Sequence, residues 1–158
     1  MFQHAKENQF EQLAYLIQQV FELKDLPQAN NGVIAIDFEG RYGLRFEYHQ
    51  SLNEVILYAD LTRQPELECV APLLLKANAY GRGTCGAAFA FDENANRIIL
   101  EKHFYIPLPE ADEFVSILEN FLHCLRIWEE RLDEQTHFPP AVGSDDSERP
   151  QEAALFRV

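Results

Sequence analysis

The stretch Leu73–Phe104, LLLKANAYGRGTCGAAFAFDENANRIILEKHF, predicts the end of a helix, a glycine-rich corner and two strands joined by a polar turn. Its leucines and alanines suit a buried helical turn, and Gly81 follows where a left-handed helix stop is least costly. From Ala87 to Asp92 and from Ile98 to His103 the side chains alternate with the two-residue period of a strand. Asp92–Asn96 is the predicted turn, so an antiparallel hairpin leaves a helix.

The sequence before this stretch predicts a helix and a three-stranded meander. Apolar residues recur at helical spacing over Asn8–Leu23, with Asn8 as a predicted N-cap and Glu11 as its return partner. The turn at Asn30–Gly32 ends this region. Runs rich in β-branched and aromatic residues then predict three consecutive antiparallel strands, at Val33–Phe38, Leu44–His49 and Glu54–Leu61.

Two further helices are predicted, one before and one after the hairpin. Pro65 suits the first turn of the earlier one, whereas Pro72 predicts either a kink or a regular helix that starts near Pro72, because an interior proline costs on the order of 3 kcal/mol. After the hairpin, a long helix is predicted from about Glu110 to Glu134. Its apolar stripe consists of Phe114, Ile117, Leu118, Phe121, Leu125, Trp128 and Leu132.

Composition limits the class of partner. The 158 residues include 13 Lys and Arg against 26 Asp and Glu, a formal net charge of -13 that disfavours nucleic acid and anionic membranes. Twelve Phe within a 47% hydrophobic content suggest more apolar surface than the chain's own core requires. Cys69, Cys85 and Cys124 have no disulfide or metal-ligand spacing, and no signal peptide or membrane span is evident, which favours a cytoplasmic protein.

The predicted fold class is α+β: helix, three strands, helix, two strands, helix, with helices packed on a twisted, mainly antiparallel sheet. Residues 1–135 are predicted to form a single domain. Residues 136–158 lose periodicity and gain Pro, Ser and acids, which predicts a mobile acidic tail. The tail ends in Leu155, Phe156 and Val158, so docking of this end stays open beside a frayed terminus.

The order of elements resembles a known family. The helix end LLLKAN, the corner GRGTCGAAFAFD, the hairpin and the closing helix ending LHCLRIWEERL together resemble the class I chaperones of bacterial type III secretion, the Tir-chaperone (CesT-like) family. The resemblance covers Phe10 to Leu132 and depends on the whole series, since no single motif is diagnostic. It departs at Ala87–Phe89, where the family more often has a Gly-Leu type of strand.

The resemblance implies a bacterial homodimer that holds the N-terminal region of a secreted effector protein extended and secretion-competent, with no cofactor and no catalytic activity. Contact with the secretion apparatus stays open. By position in the family, the dimer interface would include Leu74, Ala77, Asn78, Ala87, Phe89 and Phe91. The effector-binding surface would include Phe10, Leu13, Ile17, Ile34, Ile36, Phe38, Leu44 and Phe46. Ordinary core is the alternative for the second set, and about half of its strand positions are expected to be buried in the monomer.

The sequence also contains features of other functional classes. A regulatory or sensory domain of similar fold, binding a small ligand or a folded partner, is the main alternative and would require a closed pocket with convergent polar groups. Cys85 with His103 could suggest a thiol nucleophile and base, although apart from Arg82 nothing nearby would activate the thiol. GRGTCG lacks the Lys-Ser/Thr ending of a phosphate loop.

The sequence also predicts which residues of the last helix, and which cysteines, are buried or exposed to solvent. Trp128 is predicted to be core, and Cys69 and Cys124 are predicted to be small buried residues. A solvated helix face is predicted for the carboxylates Asp112, Glu113, Glu119, Glu129, Glu130, Asp133 and Glu134.

Overall fold

The predicted order of elements is confirmed by a computed structural model, which describes residues 2–137 and the side chains of residues 9–134. The elements are α1 (Phe2–Val20), β1 (Val33–Phe38), β2 (Tyr42–His49), β3 (Glu54–Asp60), α2 (Leu67–Asn78), β4 (Ala88–Asp92), β5 (Arg97–Tyr105) and α3 (Ala111–His137). A short 3-10 turn, Ala79–Gly81, follows α2. Most of the predicted tail lies outside the described residues, so its mobility and the docking of its end stay predictions.

The five strands form one antiparallel sheet in the order β1-β2-β3-β5-β4. The meander β1-β2-β3 arises because short polar turns return the chain at once, whereas α2 carries it across the sheet to β4. The hairpin β4-β5 then returns to pair β5 with β3. This order leaves β1 and β4 as the two edge strands.

The three helices cover one face of the sheet. Their apolar residues, such as Ile17, Leu74 and Phe114, belong to the same hydrophobic cluster as the inward residues Leu44 and Leu100 of the strands. Residues of the other parity face away, because successive side chains of a strand point to opposite sides. The sheet therefore has a buried helix-covered face and an outer face.

Several element boundaries differ from the prediction. The first helix begins at Phe2, so Asn8 lies inside it rather than capping it, because residues 2–7 contain no helix breaker. It ends at Val20, and Glu22 adopts a left-handed conformation with φ 49°. Tyr42, predicted in a turn, starts β2 because its ring is buried in the core.

The second helix is continuous from Leu67 to Asn78 and includes Pro72. It neither starts at Pro72 nor includes Pro65. Pro72 lies near the N-terminal end, where it removes the hydrogen bond to the carbonyl of Glu68, and its ring is exposed on the solvent side. The predicted left-handed stop is present at Gly81, with φ 64°.

Candidate interaction surfaces

The free edge of β1 is bordered by half-buried apolar side chains. Ile36 and Phe38 lie on the helix-covered face at the end of the sheet, where no further strand of residues 2–137 covers them. The ring of Phe21, just after α1, meets Phe38 edge to face at 6.4 Å between ring centroids. We call the half-buried set along this edge the β1 strip; it consists of Val20, Phe21, Leu23, Ile36 and Phe38.

The predicted effector-binding residues divide between this edge and the core. Phe10, Ile36 and Phe38 are half-buried, so part of each side chain remains accessible. The remaining five have no exposed surface in the single chain: Leu13, Ile17, Ile34, Leu44 and Phe46.

All five strand positions of that set lie on the same face of the sheet. The register pairs Ile34 with Phe46 and Ile36 with Leu44, and paired residues of antiparallel strands share a face. Three of the five, Ile34, Leu44 and Phe46, are fully buried in the hydrophobic core. A partner could therefore reach only Ile36 and Phe38 among the strand positions.

The sequence predicts a helix over Asn8–Leu23, which includes Val20, Phe21 and Leu23, but it assigns none of the three to a binding surface. The spacing indicates that Phe21 lies on the same side of the helix as the buried Ile17, because it follows Ile17 by one helical turn. Val20, Phe21 and Leu23 are half-buried at the end of α1, and the ring of Phe21 contacts that of Phe38 on β1.

The opposite edge of the sheet carries exposed apolar side chains on α2, the turn after it and β4. Leu75 on α2 is 70% exposed, Tyr80 in the turn is 92% exposed, and Phe91 on β4 is 38% exposed. We call Leu75, Tyr80 and Phe91 the α2–β4 surface. These three are the large apolar side chains left exposed in the region predicted to form the dimer interface.

Most of the predicted dimer residues build this region from inside the subunit. Leu74, Ala77, Ala87 and Phe89 are buried in the single chain. The ring of Phe89 packs edge to face on that of Trp128, with 5.3 Å between centroids. Of the predicted six, Phe91 has the largest exposed apolar surface left for a partner.

Asn78, the sixth predicted dimer residue, fastens α2 to the edge strand β4. Its side-chain amide donates to the carbonyl of Phe89 at 2.9 Å, and its side-chain oxygen accepts from the N–H of Phe89 at 2.7 Å. One side chain thus satisfies both main-chain groups of a strand residue, which holds β4 against the end of α2.

The glycine-rich corner packs tightly against α2. A Cβ on Gly83 would lie 2.8 Å from the carbonyl oxygen of Ala77, and one on Gly81 would lie 3.1 Å from the Cα of Gly86. The N–H of Gly86 donates to Gly81 and that of Ala87 to Thr84, so these two donors are already used. The small residues therefore allow close approach within the chain, and this corner is not built as a phosphate loop.

Cys85 and His103 do not form a nucleophile–base pair. His103 lies on the outer face of the sheet, where its Nδ1 is 3.1 Å from Glu54 and its Nε2 is 3.5 Å from Glu101. Burial lowers the pKa of His103, but the two carboxylates outweigh it, and the pKa lies above its ordinary value. Cys85 instead lines a cavity on the helix-covered side together with Lys102.

The prediction of a fully solvated acidic face on α3 is wrong at Glu129. Its side chain is buried and accepts hydrogen bonds from Arg41 Nη2 and from the Tyr42 hydroxyl, each at 2.9 Å. The N–H of Thr62 donates at 2.6 Å, and the Thr62 hydroxyl donates as well. The sequence itself indicates this burial, because Glu129 follows Leu125 by one helical turn and so borders the apolar stripe.

The electrostatics of this cluster favour the ionised carboxylate. Burial alone raises the pKa of Glu129, but the hydrogen bonds from Thr62, Tyr42 and Arg41 outweigh burial and hold the pKa below its ordinary value. Burial, with the neighbouring carboxylate, raises the pKa of Tyr42 to about 12. A cavity of about 580 Å³ opens beside the cluster, but Arg41 and Thr62 already donate to Glu129 there.

The predicted burial is confirmed for Trp128 and Cys124 but is wrong for Cys69. Trp128 is core, as predicted, and its indole N–H donates to the carbonyl of Gly83 at 2.7 Å. Cys124 is buried as predicted, whereas Cys69 is exposed, because it lies on the solvent side of α2. Among the described residues no group of His, Cys, Asp and Glu could hold a metal ion.

None of the helices in the described part of the chain is both long enough and apolar enough to cross a membrane.

Among the described residues, an antiparallel five-stranded sheet with three helices on one face and apolar side chains at both edges defines an α+β protein. The chain belongs to the Tir chaperone protein (CesT) family, whose sequence profile matches residues 12–129. No curated protein sequence is significantly similar to it.

Solved structures share its fold at low sequence identity. The HopA1-SchA chaperone-effector complex contains a chain that is 15% identical, with a TM-score of 0.60, covering 82% of this chain and 97% of that one. The ExoU-SpcU complex from the type III secretion system of Pseudomonas aeruginosa matches at 20% identity and a TM-score of 0.54, over 75% and 93% of the two chains. YbjN from E. coli, a proposed transcription regulator, is 11% identical with a TM-score of 0.54. The match covers 79% of this chain and 92% of YbjN.

Proposed function

We propose that the protein is a cytoplasmic, non-enzymatic type III secretion chaperone that binds the N-terminal segment of a secreted effector and keeps it soluble and secretion-competent. Membership of the Tir chaperone family supports this function. The observation that carries it in this chain is the free edge of β1 beside the β1 strip. An extended segment can add to such an edge by main-chain hydrogen bonds while alternate side chains cover the apolar strip.

The chemistry of the bound segment follows from this surface. Side chains that face the β1 strip would be apolar, since Phe21, Ile36 and Phe38 offer hydrocarbon surface. The exposed carboxylates Glu22 and Asp37 lie at the border of the strip, so basic residues beside the apolar ones would be favoured. The net charge of -13 would also keep the loaded complex soluble.

The chaperone acts as a homodimer joined through the α2–β4 surface. Leu75, Tyr80 and Phe91 are the exposed apolar groups that a second copy would cover. The buried residues Leu74, Ala77, Ala87 and Phe89, together with Asn78, would shape this interface by holding α2 and β4 in place. They have little surface left to contribute contact area of their own.

The regulatory alternative has weaker support. The likeness to YbjN means that the fold alone does not separate a chaperone from a regulator. A ligand-binding regulator would require polar groups that converge on a closed pocket. In the cavity beside Glu129, the converging groups satisfy one another.

Affinity purification of the tagged protein from its native cell, followed by mass spectrometry of the bound protein and by limited proteolysis, tests the proposal. Recovery of a secreted protein whose N-terminal region is protected from protease is expected. Phe38→Ala should release it, whereas Val115→Ala, which removes an exposed apolar residue of α3 away from the strip, should not. Recovery of a small ligand or a folded regulator at the Glu129 cavity would refute the chaperone proposal.

A further inference from the structure

The glycine-rich corner between α2 and β4 crosses α3 at the level of Cys124. The indole N–H of Trp128 donates to Gly83 at 2.7 Å, which ties the corner to one turn of α3. Cys85 lines a cavity of about 100 Å³ with Asn120 and Phe121, two turns earlier on the same helix. Cys124 follows Asn120 by four residues and precedes Trp128 by four, so it lies on the helix face that meets the corner.

The thiols of Cys85 and Cys124 interact directly. Burial and then the neighbouring Cys85 thiol, through charge and a hydrogen bond, raise the pKa of Cys124 to about 12. Cys85 is exposed, whereas Cys124 is buried. The pair therefore combines one thiol that a soluble reagent can reach with a second that is shielded from solvent.

We propose that Cys85 and Cys124 form an oxidation site, at which low-molecular-weight disulfides such as glutathione disulfide produce a reversible disulfide within one subunit.

The chemistry balances in two exchange steps. The Cys85 thiolate attacks one sulfur of glutathione disulfide, forms a mixed disulfide and releases one glutathione thiolate. Cys124, as its thiolate, then attacks the Cys85 sulfur, the mixed disulfide breaks, and the second glutathione leaves. The two protein thiols are oxidised by two electrons, one glutathione disulfide is reduced to two glutathione molecules, and the protons of the thiols end on the products.

The corner is held in a fixed position for this reaction. Gly83 packs against Ala77, and the Thr84 side chain is buried with its hydroxyl donating to the carbonyl of Ala87. Cys85 itself has a left-handed backbone with φ 53°, a conformation that is unfavourable for a residue with a side chain.

Peptide mapping of the full chain tests the proposal. The folded protein is incubated with glutathione disulfide, free thiols are blocked at acidic pH, and the digest is analysed by mass spectrometry without reduction. A Cys85–Cys124 linked peptide is expected in the natural sequence and in Cys69→Ala, which removes the other exposed thiol. The linked peptide should be absent from Cys85→Ala and Cys124→Ala, and dithiothreitol should restore both thiols in the natural sequence.

The result with the natural sequence decides the outcome even if one cysteine variant folds poorly. The proposal is overturned if Cys85 accumulates as a stable mixed disulfide with glutathione while Cys124 remains a free thiol. It is equally overturned if Cys69 of one chain linked to Cys69 of another is the sole cross-link that forms. Because neither outcome depends on a bound effector, failure here leaves the chaperone proposal unaffected.

Discussion

The N–H of Thr62 donates a 2.6 Å hydrogen bond to the carboxylate of Glu129, which joins the end of β3 to α3 across 67 positions of sequence. Arg41, just before β2, and Tyr42, its first residue, bind the same carboxylate. One buried acid therefore links two strands to the last helix. This cluster accounts for the orientation of α3 over the sheet more directly than the apolar stripe does, because hydrogen bonds are directional and apolar contacts are not.

Removing the Glu129 carboxylate should destabilise the fold. Glu129→Ala leaves the donors of Thr62 and Tyr42 without their acceptor, and we expect it to lower the free energy of unfolding by about 2–4 kcal/mol. Glu129→Gln keeps one acceptor and should cost about half as much. Glu130→Gln, at the exposed neighbouring position, should change stability by less than about 0.5 kcal/mol. Urea denaturation measures all three, and equal values for Glu129→Ala and Glu130→Gln would contradict a structural role for the cluster.

The same cluster should make stability depend on pH in the acid range. The pKa of Glu129 in the folded protein lies below its ordinary value of 4.5, so the ionised group stabilises the fold fully above about pH 4.5. This contribution is lost as the pH falls through the folded-state pKa. The difference in Tm between the natural protein and Glu129→Gln should thus be constant near neutral pH and shrink below about pH 4.5. A difference that grows on acidification would mean that the carboxylate is protonated in the fold.

Two adjacent residues of α2 should respond in opposite ways to substitution. Leu74→Ala removes a buried side chain and should cost about 2–5 kcal/mol of stability. Leu75→Asp changes a side chain that is 70% exposed, so the subunit should remain folded while the dimer dissociates. Leu52→Asp, at a 61% exposed position in the β2–β3 turn, is the matched control and should leave the dimer intact.

Sedimentation equilibrium at micromolar concentration, together with thermal denaturation, distinguishes these responses. If Leu75→Asp remained as dimeric as Leu52→Asp, the α2–β4 surface would not be the dimer interface.

The closure of the Cys85–Cys124 disulfide should accelerate with pH. Burial raises the pKa of the attacking Cys124 thiol above its ordinary value, so its thiolate fraction increases roughly tenfold per pH unit near neutrality. Starting from the glutathione mixed disulfide of Cys85, the release of the second glutathione should follow this dependence between about pH 6 and 8. Quenched-flow mass spectrometry measures the rate, and a pH-independent release would mean that Cys124 is not the attacking group.

Much of the fold could be predicted from local patterns. The alternation in β4 and β5, the turn residues before β1 and the apolar stripe of α3 are local features, and each element formed within a few residues of its predicted position. Boundaries were less predictable. Val20 ends α1 because of a left-handed residue two positions later, and Pro72 is accepted because it lies close to the helix start.

The interaction surfaces could be predicted only in part. Ile36, Phe38 and Phe91 belong to the predicted sets and retain exposed surface, whereas Leu44, Phe46 and Phe89 have the same sequence pattern and are buried. The pattern reports which face of a strand is apolar. It does not report whether that strand lies at an edge, nor whether a helix residue covers the position, as Trp128 covers Phe89 on the edge strand β4.

The sequence by itself determined the order of elements, the acidic and apolar-rich character of the chain and its family, because these depend on residue type and on spacing along the chain. The tertiary structure decided which apolar residues remain accessible, why Glu129 is buried and why Cys85 meets Cys124. Those properties depend on strand order and on the packing of α3, which bring together residues far apart in sequence. Leu74 and Leu75 show the difference, since the residue type is the same and only the direction from the helix axis separates core from surface.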